Sequence, residues 1–348
     1  MDSENEQKYL DLAKQHGGVQ NLGMYAAKTG RMDVLTWVCK HGYHFKNYSD
    51  IVYTAIEYGH LNVLEFIISV EFVISVNLKF KNLSACMMYD CAINNGYLHI
   101  LQWLYKQNIL WDSRESHTNI CKRIVEIGNG NVLEMLKWAH QISGTLNCDE
   151  YTCASAAEYG ELYVLQYLRA NGCPWSESTC NTAAEAGHLE VLQWAHENGC
   201  PWSNKTCREA AGSGHVHILQ YIWQQEPYIA NNNLWDKKVC DVAATCGKLN
   251  ALKYLRSIGC PWDERVCECA AIHNHLHIVR WALENGAPID NIHDITSRLH
   301  FDLNRINDYE LIQKYLANYI QKQLDTLWEI VLHVIEVPDL VKLIKSYL

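Results

Sequence analysis

"AAEAGHLEVLQWAHENGCPWS", residues 183–203, carries two helical patterns separated by a glycine. Leu189 and Leu192 follow Gly187 at two and five residues and Trp194 at seven, a helical spacing with one apolar face. Before the glycine, Cys180, Ala183 and Ala184 put small residues on one face of a shorter helix. Glycine between the two supplies a tight turn, because a left-handed residue without a Cβ costs little. "GCPWS" then ends the second helix: glycine followed by proline is a stop signal, and serine or aspartate is a cap for the next helix.

Near-copies of this unit run through the chain, and a repeat changes the whole fold prediction. The anchor glycines are Gly30, Gly59, Gly96, Gly128, Gly160, Gly187, Gly214 and Gly247, with Asn274 in place of the next. Cysteine stands seven residues before the last six anchors, at Cys121, Cys153, Cys180, Cys207, Cys240 and Cys267. Seven after the anchor the residue is aromatic at Trp37, Phe66, Trp103, Tyr167, Trp194, Tyr221, Tyr254 and Trp281; Trp138 joins if three residues are inserted after Gly128. One helix pair cannot bury both of its faces, so neighbours must stack. The predicted fold is all-α, a helix-turn-helix solenoid of about nine or ten repeats with short loops between them.

"AAEAGHLEVLQWAHENG" resembles the second half of an ankyrin repeat, and the resemblance runs over about residues 19–290. Repeats closing in "GCPW" are similar to those of ankyrin proteins from large DNA viruses of protists. Two departures stand out. The Thr-Pro-Leu-His signature is replaced by "STCNTAA" at 178–184, and the 27-residue units are shorter than the ~33 of the consensus. The missing residues fall where ankyrin repeats project a β-hairpin, so we expect blunt loops carrying Trp175, Trp202, Trp235 and Trp262.

Residues 1–18 read as an N-terminal capping helix, 19–320 as the repeat array, and 321–348 as a C-terminal helical tail. Segments 69–90 and 223–234 are insertions relative to the short units, and 308–320 is a degenerate second helix of a tenth. In the tail, Leu340, Leu343, Ile344 and Tyr347 follow helical spacing after Pro338 and Asp339. Two readings of it stand. It seals the last repeat, or "VPDLVKLIKSYL" resembles the start of an F-box, which implies adaptor contacts at Pro338, Leu340, Ile344, Tyr347 and Leu348 and recruitment of a cullin ubiquitin ligase.

The totals exclude several functions. A formal net charge of −10 argues against a nucleic-acid backbone as ligand, since phosphate binding needs clustered Lys and Arg. The apolar run at 63–78 is broken by Glu65, Glu71 and Asn77, short of the ~18 residues of a membrane span. The start "MDSENEQKYL" is too polar for a signal peptide, so we expect a cytoplasmic protein, in a host cytoplasm if viral. Fifteen cysteines in apolar helical patterns are expected to be reduced core residues. Equivalent positions on stacked helices, ~8–10 Å apart, are too distant for a disulfide.

No hydrolase elbow, P-loop, dinucleotide turn or zinc-protease motif occurs, and we expect no enzyme and no cofactor. His273 and His277 in "HNHLH" are four apart, but the segment crosses an interhelical turn, so we expect no metal. Function is therefore sought where the columns vary. The two residues before each anchor are expected to line the concave face of an ankyrin-like array, and include Glu57, Tyr58, Glu126, Glu158, Tyr159, Glu185, Ser213, Thr245 and His273. Four glutamates and two tyrosines there suit a partner protein with a basic or mixed-charge surface. A structural role in a virion or assembly, through exposed tryptophan loops, is the alternative from a different class.

Overall fold

The computed structural model describes residues 2–41, 48–69, 83–111, 120–127, 129–226 and 233–288, together with 314–315, 317–319, 321–322 and 325. Among them every regular element is a helix, and no strand occurs. None of these helices is long and apolar enough to cross a membrane. The chain divides into two compact units, 1–179 and 180–348.

The first unit opens with the helix Asp2–Gln15 and continues as helix pairs: Leu22–Thr29 with Met32–Lys40, Tyr48–Glu57 with Leu61–Ser69, and Ala85–Asn94 with Leu98–Lys106. Ile120–Ile127 with Val132–Ser143 and Glu150–Glu158 with Leu162–Ala170 complete the described pairs. Leading helices, those before the turn, pack on one another in chain order: 22–29 on 48–57, then 85–94, 120–127 and 150–158. Trailing helices form a second layer, with 132–143 against 162–170.

In the second unit the pairs are Glu177–Ala186 with Leu189–Glu197, Asn204–Ser213 with Val216–Gln225, Lys237–Thr245 with Leu249–Ser257, and Arg265–Ile272 with Leu276–Glu284. The same layering holds, 204–213 on 237–245 on 265–272, with 216–225 on 249–257. Each unit is thus a two-layer stack of sequentially packed helix pairs, the arrangement of an α-helical repeat protein.

Small residues allow this packing. Ala183 and Ala184, Ala210 and Ala211, and Ala243 and Ala244 are fully buried, and so is every cysteine of the column. On trailing helices the fully buried pair sits four and five residues after the glycine, as at Ile218 and Leu219. The leucine two after the glycine is only half-buried, because it starts the helix and faces the turn. The Thr-Cys dipeptide has a local cause: Thr152 and Thr206 are the third helical residues of capping boxes closed by Asp149 and Ser203. Buried Thr206 also donates to Asn181 Oδ1 at 2.7 Å, tying one leading helix to the preceding one.

The histidine after the anchor staples repeat to repeat. His215 Nε2 lies 3.0 Å from the Glu185 carbonyl, His275 Nε2 3.1 Å from that of Thr245, and His60 Nε2 3.1 Å from that of Lys28. A second row adds His217 on the Gly187 carbonyl at 3.2 Å and Asn62 on that of Gly30 at 3.2 Å. We expect His215→Ala to lose about 1 kcal/mol, one net hydrogen bond to an otherwise unpaired carbonyl. Chemical denaturation of the full chain measures it, and His215→Gln should recover part of the loss.

Three sequence expectations need correction. Gly128 lies outside the described residues, and the left-handed turn glycine of that repeat is Gly130, with φ of 69°. It abuts the Gly96 backbone, where a Cβ would come within 3.7 Å of the Gly130 Cα. The insertion at 69–90 is shorter than expected, because the leading helix already begins at Ala85 behind its Ser84 cap. At 223–234 helix runs to Gln225 and a 3-10 turn, Asn233–Trp235, brings Trp235 into the core against Trp223 at 5.6 Å.

The tryptophan loops are the third. Trp235 is buried, and Trp175, Trp202 and Trp262 are half-buried rather than free. Each is covered by the last turn of its own repeat's trailing helix: Arg169 stands 4.1 Å over Trp175, Arg256 4.3 Å over Trp262, and His196 stacks on Trp202 at 3.6 Å. Arg169 and Arg256 also donate to the carbonyls of Cys173 and Cys260, so the guanidinium fixes the loop and the ring together. These rings close their own repeats.

Candidate interaction surface

The predicted strip lies at the C-terminal ends of the leading helices, where the turn begins and a side chain projects past the core. Glu57 and Tyr58 end the helix 48–57 and are exposed, Tyr58 at 41%. They line an open groove of about 470 Å³ with His16, Asn21, Met24, Tyr25, Lys28 and Thr54. Its walls are ordered by local contacts: the His16 and Tyr25 rings are tilted by 35° with centres 4.3 Å apart, and Lys28 Nζ stands 5.4 Å from the Tyr58 ring centre. The groove is mixed in charge, since Lys28 and Glu57 both face it.

Other members of the strip differ in what they offer. Glu158 and Tyr159 are exposed at the end of helix 150–158, and Glu185 is exposed at the end of 177–186. Glu126 is half-buried, with Lys122 and Arg123 each at 3.9 Å, while those cations pair more closely with Asp149 and Asp90 at 2.8 Å. Thr245 turns back, its hydroxyl donating to the Asp241 carbonyl at 2.8 Å, and His273 Nδ1 lies 3.0 Å from its own helix at the Cys269 carbonyl. Ser213 is half-buried, beside Gly212, which makes room for Val242: a Cβ on Gly212 would meet that side chain at 2.9 Å. The strip therefore narrows to Glu57 with Tyr58, Glu158 with Tyr159, and Glu185. Pro338, Leu340, Ile344, Tyr347 and Leu348, the adaptor-contact candidates, lie outside the described residues.

Sequence reading missed the first turns of the same helices. Met87 and Tyr151 are 59% and 62% exposed there, and Tyr163, at the start of a trailing helix, is 71% exposed. Met87 and Tyr151 both stand nine residues before an anchor glycine, in a column that varies along the chain, and variation within a regular repeat was the available signal. Lys122 Nζ lies 5.9 Å from the Tyr151 ring centre, extending the lysine-on-tyrosine pattern of Lys28 and Tyr58.

Among the described residues no group of three or more His, Cys, Asp or Glu is arranged to hold a metal ion. His275, at the centre of "HNHLH", is engaged by the Thr245 carbonyl, and Asn274 takes the left-handed turn at φ of 62°. Geometry and chemistry together define an α-helical repeat protein with exposed polar and aromatic helix ends. No protein-family profile matches the chain, and no curated protein matches it significantly in sequence.

Proposed function

We propose that the chain is an ankyrin-like repeat scaffold that binds another protein along the ends of its leading helices, with the groove at Tyr25, Lys28, Thr54, Glu57 and Tyr58 as an anchor point. The observation that carries this reading is the pairing there of an exposed aromatic ring with a carboxylate on rigid helix ends, around an open groove. Tyrosine supplies large contact area at low entropic cost, and the mixture of Glu57 with Lys28 suits a segment bearing both charges. The ankyrin reading is supported by the column pattern and by the histidine staples between repeats. A net charge of −10 favours protein over nucleic acid as the partner.

Capture experiments with the full chain and a Glu57→Lys, Tyr58→Ala double variant test it. Both positions are exposed, so the variant's melting temperature should stay within about 2 °C of the parent. Proteins retained by the parent should be lost or weakened at least tenfold with the variant, and an unchanged set would overturn the reading. A version ending at residue 335 separates the two roles of the tail: selective loss of cullin-ligase components makes it an adaptor site, whereas a lower melting temperature with unchanged partners makes it a cap.

A further inference from the structure

The histidine staple between repeats 237–257 and 265–284 differs from the others in what surrounds it. His275 follows the left-handed turn residue Asn274, and its Nε2 lies 3.1 Å from the Thr245 carbonyl of the preceding repeat. The half-buried ring packs on Gly247, where a Cβ would come within 2.7 Å of it. Held by the carbonyl on one side and by the turn on the other, the ring cannot swing away without giving up its bond.

Among the described residues, every ionisable group that faces this ring is basic. On its own trailing helix, His277 stands 5.9 Å away between ring centres. From the end of its own leading helix comes His273, whose Nδ1 lies 3.0 Å from the Cys269 carbonyl. From the neighbouring repeat comes Lys248, the residue after Gly247, which occupies the position in its repeat that His275 holds in the next. Among the described residues none of these four side chains makes an ion pair with a carboxylate. His41, by contrast, has Glu6 Oε1 3.7 Å from its Nε2 and would gain an attraction on protonation.

We propose that this boundary is an acid-sensitive joint: on acidification the three histidines take up protons beside Lys248, and their mutual repulsion loosens repeat 265–284 from repeat 237–257. A protonated His275 still donates to the Thr245 carbonyl, so the staple itself survives charging. The surroundings change instead, because the His275 and His277 rings are closer than the ~8 Å over which physiological salt screens exposed charges. Burial first, and then His277, His273 and Lys248, hold the pKa of His275 below its ordinary 6.5, while the bond to Thr245 acts the other way. A histidine lowered in this way binds its proton more readily in the unfolded chain. Its contribution to stability is therefore complete above the ordinary value and is lost as pH falls through the folded one.

The test is hydrogen–deuterium exchange of the full chain at about pH 7.5 and about pH 5.5, with rates corrected for the intrinsic pH dependence of exchange. The comparison is with the triple variant His273→Gln, His275→Gln, His277→Gln, in which the glutamine at 275 keeps a donor for the Thr245 carbonyl. Asp241 titrates in both proteins and cancels between them. We expect acidification to cost the amides of 265–284 about threefold more protection in the parent than in the variant. If the triple variant is not folded by circular dichroism, the double variant His273→Gln, His277→Gln, changed only at exposed positions, takes its place. Its loss on acidification should again be smaller than the parent's. An equal change in parent and variant would overturn the proposal.

Discussion

Replacing Gly187 by alanine should cost about 3 kcal/mol, whereas the same change at Gly199 should cost about 1 kcal/mol. Both residues are left-handed, with φ of 88° and 85°, so both substitutions carry the strain of an L-residue there. The difference lies across the repeat boundary. A Cβ on Gly187 would come within 2.7 Å of the His215 ring, which is held by its bond to the Glu185 carbonyl, whereas a Cβ on Gly199 meets nothing within 4 Å. The ring cannot retreat without giving up that bond, so the overlap adds an overpacking cost to the strain. Urea unfolding of the full chain and both variants measures the contrast. Equal losses would mean that the histidine yields freely and the staple is weak. In the double variant Gly187→Ala, His215→Ala the overlap is gone, and the combined loss should be smaller than the sum of the two single losses.

Asp241 should make the second unit less stable as pH rises. Both of its carboxylate oxygens are buried without a hydrogen-bond donor, and its residue is 5% exposed. Burial, then repulsion from Asp263, pushes its pKa from the ordinary carboxylate value up to about 6, against attraction from Arg265 and Lys237. Arg265 Nε stands 3.5 Å from Asp241 Oδ2, too long for a strong paired bond. The sign follows from proton linkage: with the folded pKa above the unfolded one, the folded state holds more protons between about pH 4 and pH 6, and stability falls through that window as pH rises. A rise of this size corresponds to about 3 kcal/mol, and the unpaired amide of an asparagine would return about 1 of it.

Asp241→Asn should therefore stabilise the chain by about 2 kcal/mol at pH 7.5 and by little at pH 4. Comparison of variant with parent at each pH is needed, because other carboxylates act oppositely. Asp33, hydrogen-bonded by Arg31 and held down to about 2, contributes stability that is lost only as pH falls below the ordinary carboxylate range. A pH-independent difference between the two proteins would show that Asp241 is already neutralised by Arg265 and Lys237.

The same residues show how far a sequence can be read. Columns of alanine, cysteine, leucine and glycine at fixed offsets predicted the helix pairs and their turns, because helical periodicity and left-handed glycine are local properties. They also marked the positions that vary, Tyr58, Tyr159 and Glu185 among them, and these stand exposed at the helix ends. What periodicity could not distinguish is the partner across a packed boundary. Glu126 and Thr245 occupy the same column as Glu57, yet one is half-buried beside Lys122 and Arg123 and the other bonds its own helix. The loop tryptophans looked like free rings because nothing nearby in sequence shows the Arg169 or Arg256 guanidinium folding back over them.

Spacing along the chain was enough to read the repeated helix pairs, most of their turns and the small residues inside, since these follow from periodicity within one helix; at Gly130 the spacing placed the turn two residues early. Only packing between elements brings the His215 ring against Gly187, buries Asp241 without a donor, and joins Thr206 to Asn181. The reason is physical. Those contacts join residues about twenty to thirty apart through helix packing, and their energies depend on distances that close-packed side chains set only when neighbouring elements are in place.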